Sequence, residues 1–187
     1  MPSRRRVLLY GTASCGAIAA MMIVRDLKAA ATPVDASPEV IIEAFSPTGI
    51  SLGTARMPRI VRNDAQWRQQ LSALAFDVTR RLGTERPFTG ATWNLHADGI
   101  YHCIGCDTAL FDSRTKFESG TGWPSFWQPI SKYNVVEGTD NSLGMTRSAV
   151  SCRRCDGHLG HVFDDGPKPT GLRYCMNSAA LQFVARS

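Results

Sequence analysis

From Asn63 to Gly83 the apolar positions Trp67, Leu71, Leu74, Ala75, Val78 and Leu82 fall three or four residues apart, the spacing that lines one face of a helix. Asn63-Asp64 offers a cap at the front and Gly83 a stop at the back. Ser72 is a second capping residue inside the run, so the period leaves one helix or two open. Upstream, Val40-Ile41-Ile42-Glu43-Ala44-Phe45 is a β-rich run, Ser46-Pro47-Thr48-Gly49 has turn chemistry, and a second extended stretch reaches Val61. Together they predict a hairpin. Past residue 84 no long helical period returns; Gly, Pro, Asp and Asn punctuate short β-prone runs at residues 99–103, 145–151 and 172–184. The pattern predicts a mainly β domain over residues 63–187 with helices only at its front, preceded by a linker and hairpin extension over residues 32–62.

The 187 residues are 43% hydrophobic and 20% charged, the composition of an ordered chain with one ordinary core. A formal net charge of +5 would suit a polyanion if it were spread over the body. It is concentrated at the front: Arg4, Arg5, Arg6, Arg25 and Lys28 against Asp26 lie within residues 1–31, which leaves 16 basic and 15 acidic residues beyond them. A near-neutral body argues against nucleic acid as a partner.

Residues 1–31 read as an export signal, with an arginine cluster, an uncharged and mostly apolar stretch over residues 7–24, and the small residues Ala29-Ala30-Ala31 before a cleavage point. The arginines directly before Val7-Leu8-Leu9, with Arg25 and Lys28 near the cleavage point, resemble a twin-arginine signal, which implies export after folding to a bacterial periplasm. The competing reading is an uncleaved anchor, because 18 residues at about 1.5 Å each reach about 27 Å, enough for a thin hydrocarbon core. Small residues make the stretch weakly apolar and favour cleavage, so membrane contact exists only through the leader if it stays uncut. A faint likeness to a lipoprotein cleavage site around Cys15 is opposed by the apolar residues that continue past it.

Cys103-Ile104-Gly105-Cys106 and Cys152-Arg153-Arg154-Cys155 are two C-x-x-C knuckles, each able to point two thiolates at one ion. Four thiolates suit structural zinc, stapling two hairpins distant in sequence and leaving no open position for catalysis. Two disulfides or a redox pair are the alternatives in an exported protein. Neither knuckle opens an apparent helix whose N-terminus would acidify a thiol, which favours the metal.

Of six cysteines, removing Cys15 in the leader and the four at the metal leaves Cys175. In a strand, Arg173, Cys175 and Asn177 share one face, so a cation that favours the thiolate and an amide that can orient a reacting group flank the thiol. An inert buried cysteine would be the commoner case for such a residue alone. In Gly157-His158-Leu159-Gly160-His161-Val162-Phe163-Asp164-Asp165 two imidazoles stand three apart. On a regular strand they face opposite ways, and a kink or bulge at Gly160 would bring both to one pocket. Asp165 could then hold one ring in the required tautomer. Residues 117–127 gather Phe117, Trp123, Phe126 and Trp127 around Gly120-Thr121-Gly122 and Pro124, either an aromatic pocket wall or a hydrophobic plug.

Taken together these residues resemble the B-type methionine-R-sulfoxide reductases. The likeness runs from about Trp67 to Phe183 and rests on the segment at residues 83–90, both knuckles, Leu110-Phe111-Asp112-Ser113, Gly122-Trp123-Pro124-Ser125-Phe126, His158-Leu159-Gly160-His161-Val162-Phe163, Gly166-Pro167, Pro169-Thr170-Gly171 and Arg173-Tyr174-Cys175 with Asn177-Ser178. The resemblance implies two antiparallel sheets with short N-terminal helices, stapled by zinc. It implies that Cys175 attacks the sulfoxide sulfur while His161, aided by His158, protonates the oxygen, leaving methionine and a Cys175 sulfenic acid. Arg173 would keep Cys175 ionised, Asn177, Asp165 and His158 would position the sulfoxide, and Trp123, with Phe126 beside it, would form the substrate pocket. Partners would be oxidised proteins or peptides carrying methionine-R-sulfoxide. Many such reductases carry a resolving cysteine where this chain has Thr121. Recycling is therefore expected from an external reductant, a thioredoxin-like protein or a small thiol. The remaining alternative is a zinc-stapled protein- or nucleic-acid-binding module without catalysis.

Overall fold

The computed structural model describes residues 38–140 and 147–186. The leader, with Cys15 and the stretch over residues 7–24, lies outside the described residues. Among those residues no helix is long and apolar enough to cross a membrane.

A hairpin of β1 (Glu39–Phe45) and β2 (Ser51–Pro58) comes first. Its anchor is Ile42, the one residue of β1 whose side chain is fully buried. Asn134 clasps the strand from the other side, accepting from the Glu43 amide at 2.9 Å and donating to the Glu43 carbonyl at 2.9 Å.

Two helices follow, α1 (Asp64–Gln70) and α2 (Ala73–Arg81), which resolves the ambiguity at Ser72. Asn63 and Gln66 form a reciprocal capping box at 2.9 Å each way. Leu71 is extended, and the Ser72 hydroxyl accepts from the Ala75 amide at 3.1 Å to start the second helix. At the far end Leu82, and not Gly83, takes the left-handed conformation, with φ 58°. Gly83 is required for another reason: a Cβ there would lie 3.1 Å from the Asp77 backbone.

The rest is β. Among the described residues a three-stranded sheet runs β11 (Leu181–Ala185), β3 (Gly99–Cys103), β4 (Ala109–Asp112), and a six-stranded one runs β5 (Lys116–Phe117), β6 (Ser125–Phe126), β10 (Arg173–Met176), β9 (His158–Phe163), β8 (Arg147–Cys152), β7 (Val135–Asp140), all pairs antiparallel. The β-prone run over residues 172–184 is thus divided between the sheets, with a short 3-10 turn at Ser178–Ala180 carrying the chain from one to the other.

Trp67, Phe76 and Val78 of the helices and Leu71 between them pack against Tyr101, Leu110, Phe111, Leu159 and Met176 of the sheets. Each such side chain contributes about 1.5–3 kcal/mol by leaving water. Phe126 belongs to this core: it is 0% exposed, stacked on Phe111 at 4.5 Å between ring centroids and edge-on to Tyr101 at 5.0 Å. The expected substrate-pocket role for Phe126 is corrected by this packing. Strand alternation turns its ring to the opposite side from the neighbouring Ser125, which faces Cys175 across the ladder.

Candidate active site

Cys175 lies at the middle of the six-stranded sheet, paired in register with His161 on one side and Ser125 on the other. On the same ladder Arg173 pairs with Phe163 and Met176 with Gly160. Because facing residues in register share a sheet face, Cys175, His161, Arg173 and Phe163 stand together. Cys175, His161 and Phe163 line part of a cleft of about 170 Å3, whose wall includes Thr84, Trp123, Arg147, Gly160 and Asn177.

The two imidazoles do converge. Val150 pairs with Gly160 and Ser151 with His158, so Leu159 is an extra residue on β9. This bulge undoes the opposite facing of a regular strand and brings the rings to 5.2 Å between centroids. Asn177 holds the bulge open, donating from both its backbone amide (2.8 Å) and its side-chain amide (3.0 Å) to the Leu159 carbonyl. Gly160 lets β10 approach closely, since a Cβ there would collide with the Cys175 carbonyl and lie 2.9 Å from the Met176 Cα.

The acid–base partners differ from the expectation. Asp165 is engaged by Arg173 in a two-pronged ion pair, Nε to Oδ1 at 2.8 Å and Nη2 to Oδ2 at 2.7 Å, and Arg173 holds its carboxyl below the usual range. It orients the arginine and not a histidine. His161 instead donates from Nε2 to Oδ2 of Asp140 at 2.8 Å. His158 is 1% exposed, neither ring nitrogen has a hydrogen-bond partner among the described residues, and burial together with the nearby His161 pushes it down to about 4. It is a neutral ring at neutral pH.

Cys175 is half-buried, and burial raises its thiol above the ordinary value against the opposing effects of Thr121, Arg173 and Ser125. Thr121 Oγ1 is 3.8 Å from Cys175 Sγ and belongs to a chain of hydroxyls, 2.8 Å from Ser119, which is 2.8 Å from Ser125. Around the sulfur, at the position expected of a resolving thiol, the structure places alcohols. The other cysteines among the described residues are the four of the knuckles.

Glu85 was not assigned a role by sequence reasoning. Its buried carboxylate accepts from the Ser178 and Ala179 amides at 2.7 and 2.8 Å, its amide donates to Asn177 Oδ1 at 3.0 Å, and its carbonyl accepts from Trp123 Nε1 at 3.2 Å. One residue thereby fixes both Trp123 and Asn177 relative to the cleft. Its only sequence signal is membership in the segment at residues 83–90. Asp140 and Arg147 carry no spacing signal at all, because they reach the site through the ends of the β7–β8 hairpin.

At the β3–β4 turn of the three-stranded sheet and the β8–β9 turn of the six-stranded sheet the knuckles form equivalent turns. Cys103 and Cys152 amides donate to the Thr108 and Gly157 carbonyls, and the left-handed Asp107 and Asp156 amides donate back to Cys103 and Cys152. The sulfurs of Cys103, Cys106, Cys152 and Cys155 all lie within 4.8 Å of one another, with Cys103 to Cys155 at 3.6 Å and Cys106 to Cys152 at 3.5 Å. A tetrahedral ion with bonds of about 2.3 Å to sulfur needs edges of about 3.8 Å, whereas a disulfide needs about 2.05 Å. The residues fit a metal. Arg80 donates both terminal nitrogens to the Cys155 carbonyl at 2.9 and 3.0 Å, and Gln70 donates to the Gly105 carbonyl at 2.7 Å, tying both helices to the knuckles.

The SelR domain matches residues 71–185. A peptide methionine sulfoxide reductase MsrB of Pseudomonas syringae pv. syringae (strain B728a) is 53% identical over 131 residues, covering 70% of this chain and 100% of that protein. The proteins of the same name from Thioalkalivibrio sulfidiphilus (strain HL-EbGR7) and Herminiimonas arsenicoxydans are 57% identical over 122 residues (65% and 89% covered) and 52% identical over 127 residues (68% and 93% covered). With the matched span holding both knuckles, Glu85, the paired imidazoles and Cys175, the chain belongs to the SelR-domain, MsrB-type family.

Proposed function

We propose that this protein reduces methionine-R-sulfoxide, in peptides and as the free amino acid, to methionine through a sulfenic acid on Cys175, and that an external thiol recycles it. The observation that carries this reading is the in-register pairing of Cys175 with His161 inside a cleft walled by Trp123, with Thr121 where a second thiol would stand.

Trp123 seats the terminal methyl of the sulfoxide. Cys175 gives its proton to His161 and attacks the sulfoxide sulfur, and His161 passes that proton to the oxygen. The sulfoxide S–O bond breaks and an S–O bond forms at Cys175, so methionine sulfur gains two electrons and Cys175 sulfur loses two; the proton stays on the sulfenic oxygen. Two external thiols then restore Cys175, leaving as a disulfide with one water released. The positive charge of Arg173, steadied by Asp165, stabilises the anionic form of Cys175 during attack. Asn177 and the neutral His158 shape the oxygen side of the cleft. Cys103, Cys106, Cys152 and Cys155 would hold zinc, which would fix the fold and leave no open position for the reaction. Residues 1–31 direct export, which fractionation of cells producing the full chain tests.

Racemic free and peptide-bound methionine sulfoxide with dithiothreitol is the decisive assay. Loss of the R-epimer alone is expected, with Cys175→Ser inactive yet folded. Turnover of the S-epimer, or a peptide map with Cys175 bridged to another cysteine of the same chain, would overturn the reading.

A further inference from the structure

The orientation of His161 is set by a residue outside every motif read from the sequence. We propose that Asp140 is a positioning residue of the reaction: it accepts the Nε2–H hydrogen bond of His161, fixes the ring's tautomer, and leaves Nδ1 as the nitrogen that takes the Cys175 thiol proton and passes it to the sulfoxide oxygen. The inference rests on the reading of His161 as proton donor.

Asp140 closes the β7–β8 hairpin opposite Arg147, and the next ladder pairs Ala149 with His161, so the hairpin end lies over the imidazole. The Asp140–His161 bond is 2.8 Å, and the two side chains are 15% and 13% exposed. In so little water a charge-assisted hydrogen bond is screened weakly and keeps its direction. Arg147 Nη2 stands 3.7 Å from the same carboxylate oxygen and lines the cleft. The competing carboxylate, Asp165, is committed to Arg173. His158 meets His161 ring to ring without a hydrogen bond between them. Nδ1 of His161 has no hydrogen-bond partner among the described residues, and the ring lines the cleft beside Cys175. A carboxylate on one imidazole nitrogen and a reacting atom on the other is the arrangement by which an acid–base histidine is held in one tautomer.

Single-turnover formation of methionine without reductant isolates the proton step. Asp140→Asn is expected to slow it about 10–100-fold with half-saturation by substrate nearly unchanged, and Asp140→Glu to recover part of the loss. In the His161→Gln background the same Asn substitution is expected to add less than about 2-fold, because its target is gone. Nitrogen-15 spectra of labelled histidine are expected to show His161 protonated at Nε2 in the neutral wild-type ring and a mixture of tautomers in Asp140→Asn. Metal content and melting curves accompany each variant, and if Asp140→Asn loses its metal the Asp140→Glu comparison carries the test. An unchanged rate, an unchanged tautomer pattern, or an equal slowing with and without His161 would overturn the role of Asp140. A wild-type rate in His161→Gln would overturn the donor reading and this one with it, whereas a slow His161→Gln beside a fast Asp140→Asn would overturn only this one.

Discussion

Water is scarce around the reacting sulfur, and that governs its acidity. Burial disfavours the thiolate of Cys175 by more than Thr121, Arg173 and Ser125 together restore, so the free protein holds a thiol whose ionisation lies above the ordinary value. Alkylation of Cys175 by iodoacetamide, followed on its own peptide, is expected to inflect at a higher pH than free cysteine. Arg173→Ala should move that inflection further up and slow alkylation at pH 7 about several-fold; an inflection at or below that of free cysteine would contradict the balance. Sequence order could name Arg173 as a neighbour of Cys175 but could not weigh it against desolvation, which depends on strands brought from residues 125 and 161. The same limit explains Asp165 and Phe126. Nearness along the chain suggested one as a histidine partner and the other as a pocket wall, while ladder register gave His161 to Asp140 and turned Phe126 into the core.

Strand β9 is the element on which the chemistry depends most. The two imidazoles and the glycine between them predicted an irregular strand, and the irregularity falls one residue earlier than expected, at Leu159, while Gly160 serves the close approach of β10. Gly160→Ala is therefore expected to force β9 from β10, destabilising by about 1–3 kcal/mol and reducing turnover beyond what the unfolded fraction explains. Urea unfolding alongside single-turnover rates checks this, and wild-type activity in a folded Ala variant would refute it. Periodicity and capping residues made α1 and α2 legible down to the choice between one helix and two, because those interactions are local. The passage of residues 172–184 between two sheets was not legible, since it is fixed by the Glu85 carboxylate about ninety positions away, against the Ser178 and Ala179 amides.

At the scale of the whole molecule the four-cysteine site joins the two sheets, with one knuckle on the β3–β4 turn of the three-stranded sheet and the other on the β8–β9 turn of the six-stranded sheet. Its spacing was readable because each knuckle is a short local unit, and the fold brings all four sulfurs together. Binding of a metal by such a site is coupled to folding. A strong chelator is expected to release one zinc per chain and abolish most of the β signal in the far-ultraviolet spectrum; an intact spectrum after complete metal loss would show that the sheets stand without the staple.

The knuckle at Cys152–Cys155 runs straight into His158 and His161, three and six positions beyond its last ligand. A hairpin whose turn would grip the ion and whose stem presents the imidazoles could not lose the one without loosening the other. Oxidants harsh enough to strip those sulfurs would thus silence the repair machinery itself, and the surviving catalytic capacity of an aged sample should follow its residual zinc in direct proportion.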